Sequence, residues 1–163
     1  MSLSTVAQDG SAASHQDEES VRAYLIAAAL QQMQKVQHFV ESRGLHPDAT
    51  YGGKPTALCY SVLKPNLCLM IYLMERGADV NAVDGMGMTP LHYATLGGCR
   101  FCVVYLLARG ARPDRENASG KTPLDLTDGR PDLTATRSAL LSGGFELNPY
   151  PSPSVIGTST SLH

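Results

Sequence analysis

The sequence predicts an all-α solenoid of stacked helix-turn-helix units joined by hairpin-like loops, and three recurrences carry that prediction. Thr89-Pro90-Leu91 returns 33 residues later as Thr122-Pro123-Leu124, and Thr56-Ala57-Leu58 lies the same distance upstream. Gly44, Gly77, Gly110 and Gly143 keep that interval. Gly77-Ala78-Asp79-Val80-Asn81 is echoed by Gly110-Ala111-Arg112-Pro113-Asp114, and more loosely by Gly44-Leu45-His46-Pro47-Asp48. Markers this different do not share a period by chance, and a period of this length is the mark of stacked repeats.

The third unit shows the internal logic most clearly. Thr89 suits a helix N-cap, and Pro90 fits the first helical position, where no backbone donor is needed. A short helix runs on through Leu91, Ala94 and Thr95, and Gly98 can end it in a left-handed conformation. A second helix, from about Arg100 to Ala108, carries Cys102, Val103, Leu106 and Leu107 at helical spacing. Gly110 closes it, and a polar loop leads to the next Thr-Pro. The expected units are residues 20–50, 51–83, 84–116 and 117–144, with loops near residues 50, 84 and 117.

Asn81-Ala82-x-Asp84-x-x-Gly87-x-Thr89-Pro90-Leu91-His92-x-Ala94, followed by Leu106-Leu107-x-x-Gly110-Ala111, closely resembles the ankyrin repeat. The resemblance spans about Ser20 to Gly144 and is weakest in unit one, which lacks Thr-Pro-Leu-His and reads Ala23-Tyr24-Leu25-Ile26 with Gln31, Gln32, Gln34 and Gln37. Unit four has Asp125 where histidine is usual, and a short second helix, Ala135 to Leu141. These two read as caps, since a terminal repeat must present one face to water. In unit two Pro65 replaces the interhelix glycine and Gly53 falls one residue early, so a local loop distortion is expected there.

Outside the repeats, residues 1–19 carry Asp9, Asp17, Glu18 and Glu19 among Ser, Ala and Gln, the composition of a solvated, disordered tail. Residues 145–163 carry Pro149, Pro151 and Pro153 among Ser and Thr and read as an extended or disordered tail. The chain is 43% hydrophobic and 17% charged with a net charge of -2, so it has the material for a core but no basic stripe for nucleic acid. No segment reaches the length of a membrane span, and the N-terminus does not read as a secretory signal. Cys59, Cys68, Cys99 and Cys102 are then expected as reduced thiols in a cytoplasmic or nuclear protein.

The residues with chemical potential read as architecture. His92 follows the Thr89 cap within a turn, and the ankyrin resemblance implies that it ties neighbouring loops together by hydrogen bonds. His38 and His46 lack acidic or cysteine partners at useful spacing. Cys99-x-x-Cys102 has no second such pair, and the repeat places Cys99 in the interhelix turn and Cys102 on the buried side of a helix, pointing apart. Gly52-Gly53-Lys54-Pro55-Thr56 has proline where a phosphate loop needs Ser or Thr directly after the lysine. Gly85-x-Gly87 lacks a third glycine and a flanking strand; both glycine sets fall at hairpin positions, where glycine supplies positive φ. No Ser-His-Asp or Cys-His set converges. No catalytic residue, cofactor or metal is expected.

The resemblance implies a non-catalytic protein-interaction module, an adaptor or regulator acting as a monomer on another protein. It also implies a binding face of hairpin tips and first helices, the concave side. By position that face holds Lys54, Tyr60, Leu63 and Lys64 from unit two, and Val83, Met86, Met88, Tyr93 and Leu96 from unit three. Unit four adds Glu116, Ser119 and Lys121. Met86, Met88 and Tyr93 are expected as central anchors with Lys54 and Lys121 nearer the rim, and the alternative for the two methionines is that they cover the adjacent repeat. A substrate-recruiting or inhibitory subunit of a larger enzyme complex is the alternative role, and a metal- or redox-regulated sensor at Cys99 and Cys102 a third. Leu73, Asp79, Val80 and Asn81 match the pattern around asparagines hydroxylated in many ankyrin repeats, which makes Asn81 a candidate for that modification.

Overall fold

A computed structural model of the chain describes residues 10–143, with side chains from Glu18 onward. Among these residues there are seven α-helices and no strand. Unit one contributes α1 (Gly10–Ala29) and α2 (Met33–Gln37), which continues into a π-helical turn, His38–Ser42. Unit two contributes α3 (Ala57–Leu63) and α4 (Leu67–Glu75), and unit three α5 (Pro90–Leu96) and α6 (Arg100–Ala108). Unit four has short 3-10 turns at Asp125–Thr127 and Pro131–Leu133 before α7 (Thr134–Leu141).

The first helices stack as a row, α1 on α3 and α3 on α5, while α4 and α6 pack behind their own partners and α7 closes on α6. The core is continuous through the stack: Tyr24, Leu58, Val62, Leu69, Met70, Leu73, Leu91, Val103 and Leu106 are fully buried. Thr56 and Thr89 cap α3 and α5 from extended backbone, each side chain accepting from the N–H three residues on.

Three local outcomes differ from the sequence expectation or refine it. The segment read as a solvated tail is helical from Gly10, so α1 begins ten residues before the expected boundary at 20. Once Tyr24, Leu25, Ala27 and Ala28 anchor the helix, extending it costs little, and Ser11–Ser20 holds neither glycine nor proline to stop it. Residues 1–9 and the Pro/Ser/Thr-rich segment 145–163 lie outside the described residues. In unit four the expected first helix is reduced to a 3-10 turn. Gly129, with φ +71°, stands one period after Leu96 and turns the chain before a second turn of helix can form.

The unit-two distortion is small. Pro65 stands where unit three has Gly98, and the turn closes through Asn66, whose N–H reaches the Ser61 carbonyl at 2.9 Å. Its side chain then accepts from Leu69 N–H at 3.1 Å and caps α4. No described helix is long and apolar enough to cross a membrane.

Candidate functional site

One repeat position shows how the same site is met with three different side chains. Cys59, His92 and Asp125 lie 33 residues apart, each three residues after a capping threonine. The Thr56 hydroxyl donates to Cys59 Sγ at 3.4 Å. Asp125 Oδ2 accepts from the Thr122 N–H at 2.8 Å and its hydroxyl at 2.7 Å, which holds the carboxyl below its usual range. His92 Nδ1 accepts from the Thr89 N–H at 3.1 Å, so Nε2, 3.0 Å from the Lys121 carbonyl, carries the proton and donates across to the next hairpin. His92 is therefore a fully buried tie between units three and four.

Burial holds the His92 imidazole below its ordinary 6.5, against the opposing pull of the Lys121 carbonyl and Asp84. The unfolded chain then protonates at higher pH than the folded one, so stability is lost as pH falls below about 6.5 toward the folded value. Thermal melts between about pH 8 and about pH 5 should show a falling Tm at the acid end, and His92→Gln should flatten that portion. An unchanged acid slope in the variant would assign the effect elsewhere.

The hairpin tips stack backbone on backbone. Gly85 N–H donates to the Gly53 carbonyl at 2.9 Å, and Ala118 N–H to the Met86 carbonyl at 2.9 Å. Gly87 adopts φ +70°, as expected, but Gly85 does not: it is required for closeness, because a Cβ there would lie 2.9 Å from Gly53 Cα. Asp84 organises the unit-three tip. Its Oδ1 accepts from the N–H groups of Met86 and Met88, both at 2.9 Å, and its Oδ2 from the Tyr93 hydroxyl at 2.6 Å. Burial and this bond push the Tyr93 phenol well above its ordinary value. Asn117 repeats the device in unit four, accepting from Ser119 and Lys121 N–H.

A second stitch follows the period. Asp48 Oδ2 accepts from Asp79 N–H at 2.9 Å, and one unit on, Asn81 Oδ1 accepts from Arg112 N–H at 2.8 Å. The Asn81 amide also donates to the Gly110 carbonyl at 3.0 Å. Both ends of the Asn81 side chain thus bind unit three.

Of the residues expected on the partner face, the two methionines divide. Met86 is 65% exposed. Met88 is 7% exposed and its sulfur accepts from the Asn117 amide at 3.3 Å, so it is an inter-repeat core residue and not a surface anchor. In an extended chain Met86 and Met88, two residues apart, would share a side, but the left-handed Gly87 between them breaks that alternation, which spacing alone does not reveal. Lys54, Leu63, Lys64 and Val83 are exposed, as are Glu116, Ser119 and Lys121, while Tyr60, Tyr93 and Leu96 are half-buried.

The structure adds residues that the sequence reading omitted. A shallow cavity of about 110 Å³ is lined by Arg22, Leu25, Ile26 and Ala29 of α1 together with Tyr51, Lys54 and Tyr60. Ile26 and Leu30 are each 59% exposed, and Gln31 bonds the Tyr60 carbonyl at 3.0 Å, joining unit one to the same face. Leu30, Leu63 and Leu96 lie on the period, at the ends of the three stacked first helices. The signal was present, but unit one lacks the Thr-Pro marker that would have set its register.

Cys99 and Cys102 converge, contrary to the expectation that they point apart, and are joined as a disulfide. Cys99 is the N-cap of α6, and a capping side chain reaches back over the N–H of the residue three on, which is Cys102. Cys59 and Cys68 are unbridged. Among the described residues no group of three or more His, Cys, Asp or Glu side chains gathers as a metal site.

Comparison with known families agrees with this geometry: a family model described as ankyrin repeats in three copies matches residues 12–117. No curated protein gives a significant match to the chain. The shared period, the threonine caps, the stacked hairpins and the match over most of the chain establish that it belongs to the ankyrin-repeat family.

Proposed function

We propose that the chain is a non-catalytic adaptor or regulator that holds a partner protein on the face built from the first helices and hairpin tips of units one to three. Ankyrin repeats are in general protein–protein interaction modules. The observation that supports this particular face is the periodic row Leu30, Leu63 and Leu96, flanked by exposed Ile26, Val83 and Met86. Exposed apolar side chains gathered on one face mark interaction sites more often than isolated ones do. Arg22, Lys54 and Lys64 are exposed on the same units, so the row suits a segment that offers apolar side chains beside carboxylates. The row stops at Gly129, and unit four adds only the polar residues Glu116, Ser119 and Lys121 at its rim.

Proximity labelling in cells supplies the partner, and purified variants then test the face. Leu30→Ser combined with Leu63→Ser should weaken binding by at least ~2 kcal/mol, about thirtyfold, with little change in Tm. Leu67→Ser with Phe101→Ser is the matched control, since both are exposed apolar residues on the second helices. Loss of binding in that control alone would move the site to the opposite side.

Hydroxylation of Asn81 is part of the same proposal, resting on the family pattern. Because Asn81 bonds Gly110 and Arg112, modification requires this loop to leave unit three. Peptide mass spectra from cells should show one added oxygen on the segment containing Asn81, and spectra without it would remove the modification.

A further inference from the structure

The interhelix turn of unit three carries a feature outside the row proposed for partner binding. Cys99 and Cys102 bracket the first turn of α6, with Cα atoms 5.3 Å apart, inside the usual span of a disulfide. Their surroundings differ. Cys99 is half-exposed on the turn, whereas Cys102 is buried in the core under α6. The Cys102 N–H donates to Cys99 Sγ at 3.2 Å. Cys99 Sγ thus sits at the N-terminal end of α6 with a backbone donor aimed at it. The turn that presents it is clamped: a Cβ on Gly97 would lie 3.3 Å from the Leu63 carbonyl, and one on Gly98 3.2 Å from Leu133 Cδ2. The two sulfurs are thus held in reach by units two and four, and little chain entropy is lost in joining them. The other thiols lack this combination. Cys59 is buried and pushed up to about 12, and Cys68 is exposed but unbridged.

We propose that Cys99 and Cys102 form a reversible dithiol–disulfide site whose substrates are low-molecular-weight disulfides and the thiols that reverse the reaction. Cys99 thiolate attacks one sulfur of the disulfide, forming a mixed disulfide and releasing one thiolate. Cys102 gives its proton to solvent and attacks Cys99 Sγ, which forms the internal S–S bond and releases the second thiolate. Two electrons pass from the protein to the small disulfide, and the two protons lost by the cysteines appear on the two thiols. Reduction runs the same steps backwards. The half-exposed sulfur is the one that meets the substrate, and the buried one resolves the mixed disulfide.

The full chain would be equilibrated with mixtures of reduced and oxidised glutathione, acid-quenched, alkylated and digested. The peptide holding both cysteines should pass between a doubly alkylated form and a form lacking two hydrogens, in one two-electron transition. Cys102→Ser should trap glutathione on Cys99. Cys99→Ser, in which serine keeps the helix cap, should leave Cys102 without an adduct. Exclusion of Cys59 from native-state alkylation verifies that each variant is folded. Double alkylation at every glutathione ratio would overturn the proposal, as would a Cys102→Ser chain with no more adduct on Cys99 than on Cys68. An adduct on Cys102 in the Cys99→Ser chain would overturn the roles given to the two sulfurs.

Discussion

Leu106→Ala should lower the unfolding free energy by about 2–5 kcal/mol, the cost of a buried leucine lost from a core that cannot fully collapse around it. Leu106 is fully buried in α6, the helix that packs against both α5 and α7. Single domains have only about 5–15 kcal/mol in all, so this one change removes a large share of the total. In a stack of repeats the loss also weakens the coupling of each unit to its neighbour. Leu73 occupies the same position one period earlier, and is equally buried, so Leu73→Ala should show a comparable loss. Urea melts followed by circular dichroism measure both. Wild-type stability in either variant would show that these leucines do not fill the space between units.

The second large effect separates two methionines two residues apart. Met88→Ser should cost about 2–5 kcal/mol, because it empties a buried site and strands the Asn117 amide that donates to the sulfur. Met86→Ser, at an exposed tip, should stay within about 0.5 kcal/mol of wild type. Equal melting temperatures for the two variants would contradict the burial difference. The comparison also decides how any loss of partner binding is read, since Met88→Ser weakens binding through the fold and Met86→Ser only through the surface.

What could be read from the residues alone were the devices that act locally. A threonine cap followed by proline, and a glycine at a left-handed turn, state their geometry within a few residues; their recurrence gave units three and four directly, and unit two followed through Thr56 and Gly77. Unit one keeps the period glycine, Gly44, but has no threonine cap, so the register of its first helix, the early start of α1 and the exposed Ile26 and Leu30 emerged only from packing. The fate of Met88 depends on how one hairpin lies on the next, which no periodicity encodes. Cys99 was assigned correctly to the turn, yet its side chain reaches back over α6, because a cap is defined by where its side chain goes and not by where its backbone sits. The series Cys59, His92 and Asp125 was half visible: the position was evident, but the tie from His92 to Lys121 needed the neighbouring unit in place.

The contact of Gly85 with Gly53 bears on the curvature of the whole array. Two hairpins that touch through bare backbone sit as close as polypeptide permits, while the helices behind them are spaced by leucines and methionines. Tips held tightly and helices held apart bend a row of repeats, and the bend sets the width of the groove between them. A methyl group at Gly85 has no space to occupy, since it would lie 2.9 Å from one backbone atom and 3.0 Å from another. It would act as a wedge between the tips of units two and three, flattening the arc and widening its mouth without replacing any of the side chains proposed to meet a partner. The aperture of this module is thus written in two hydrogen atoms.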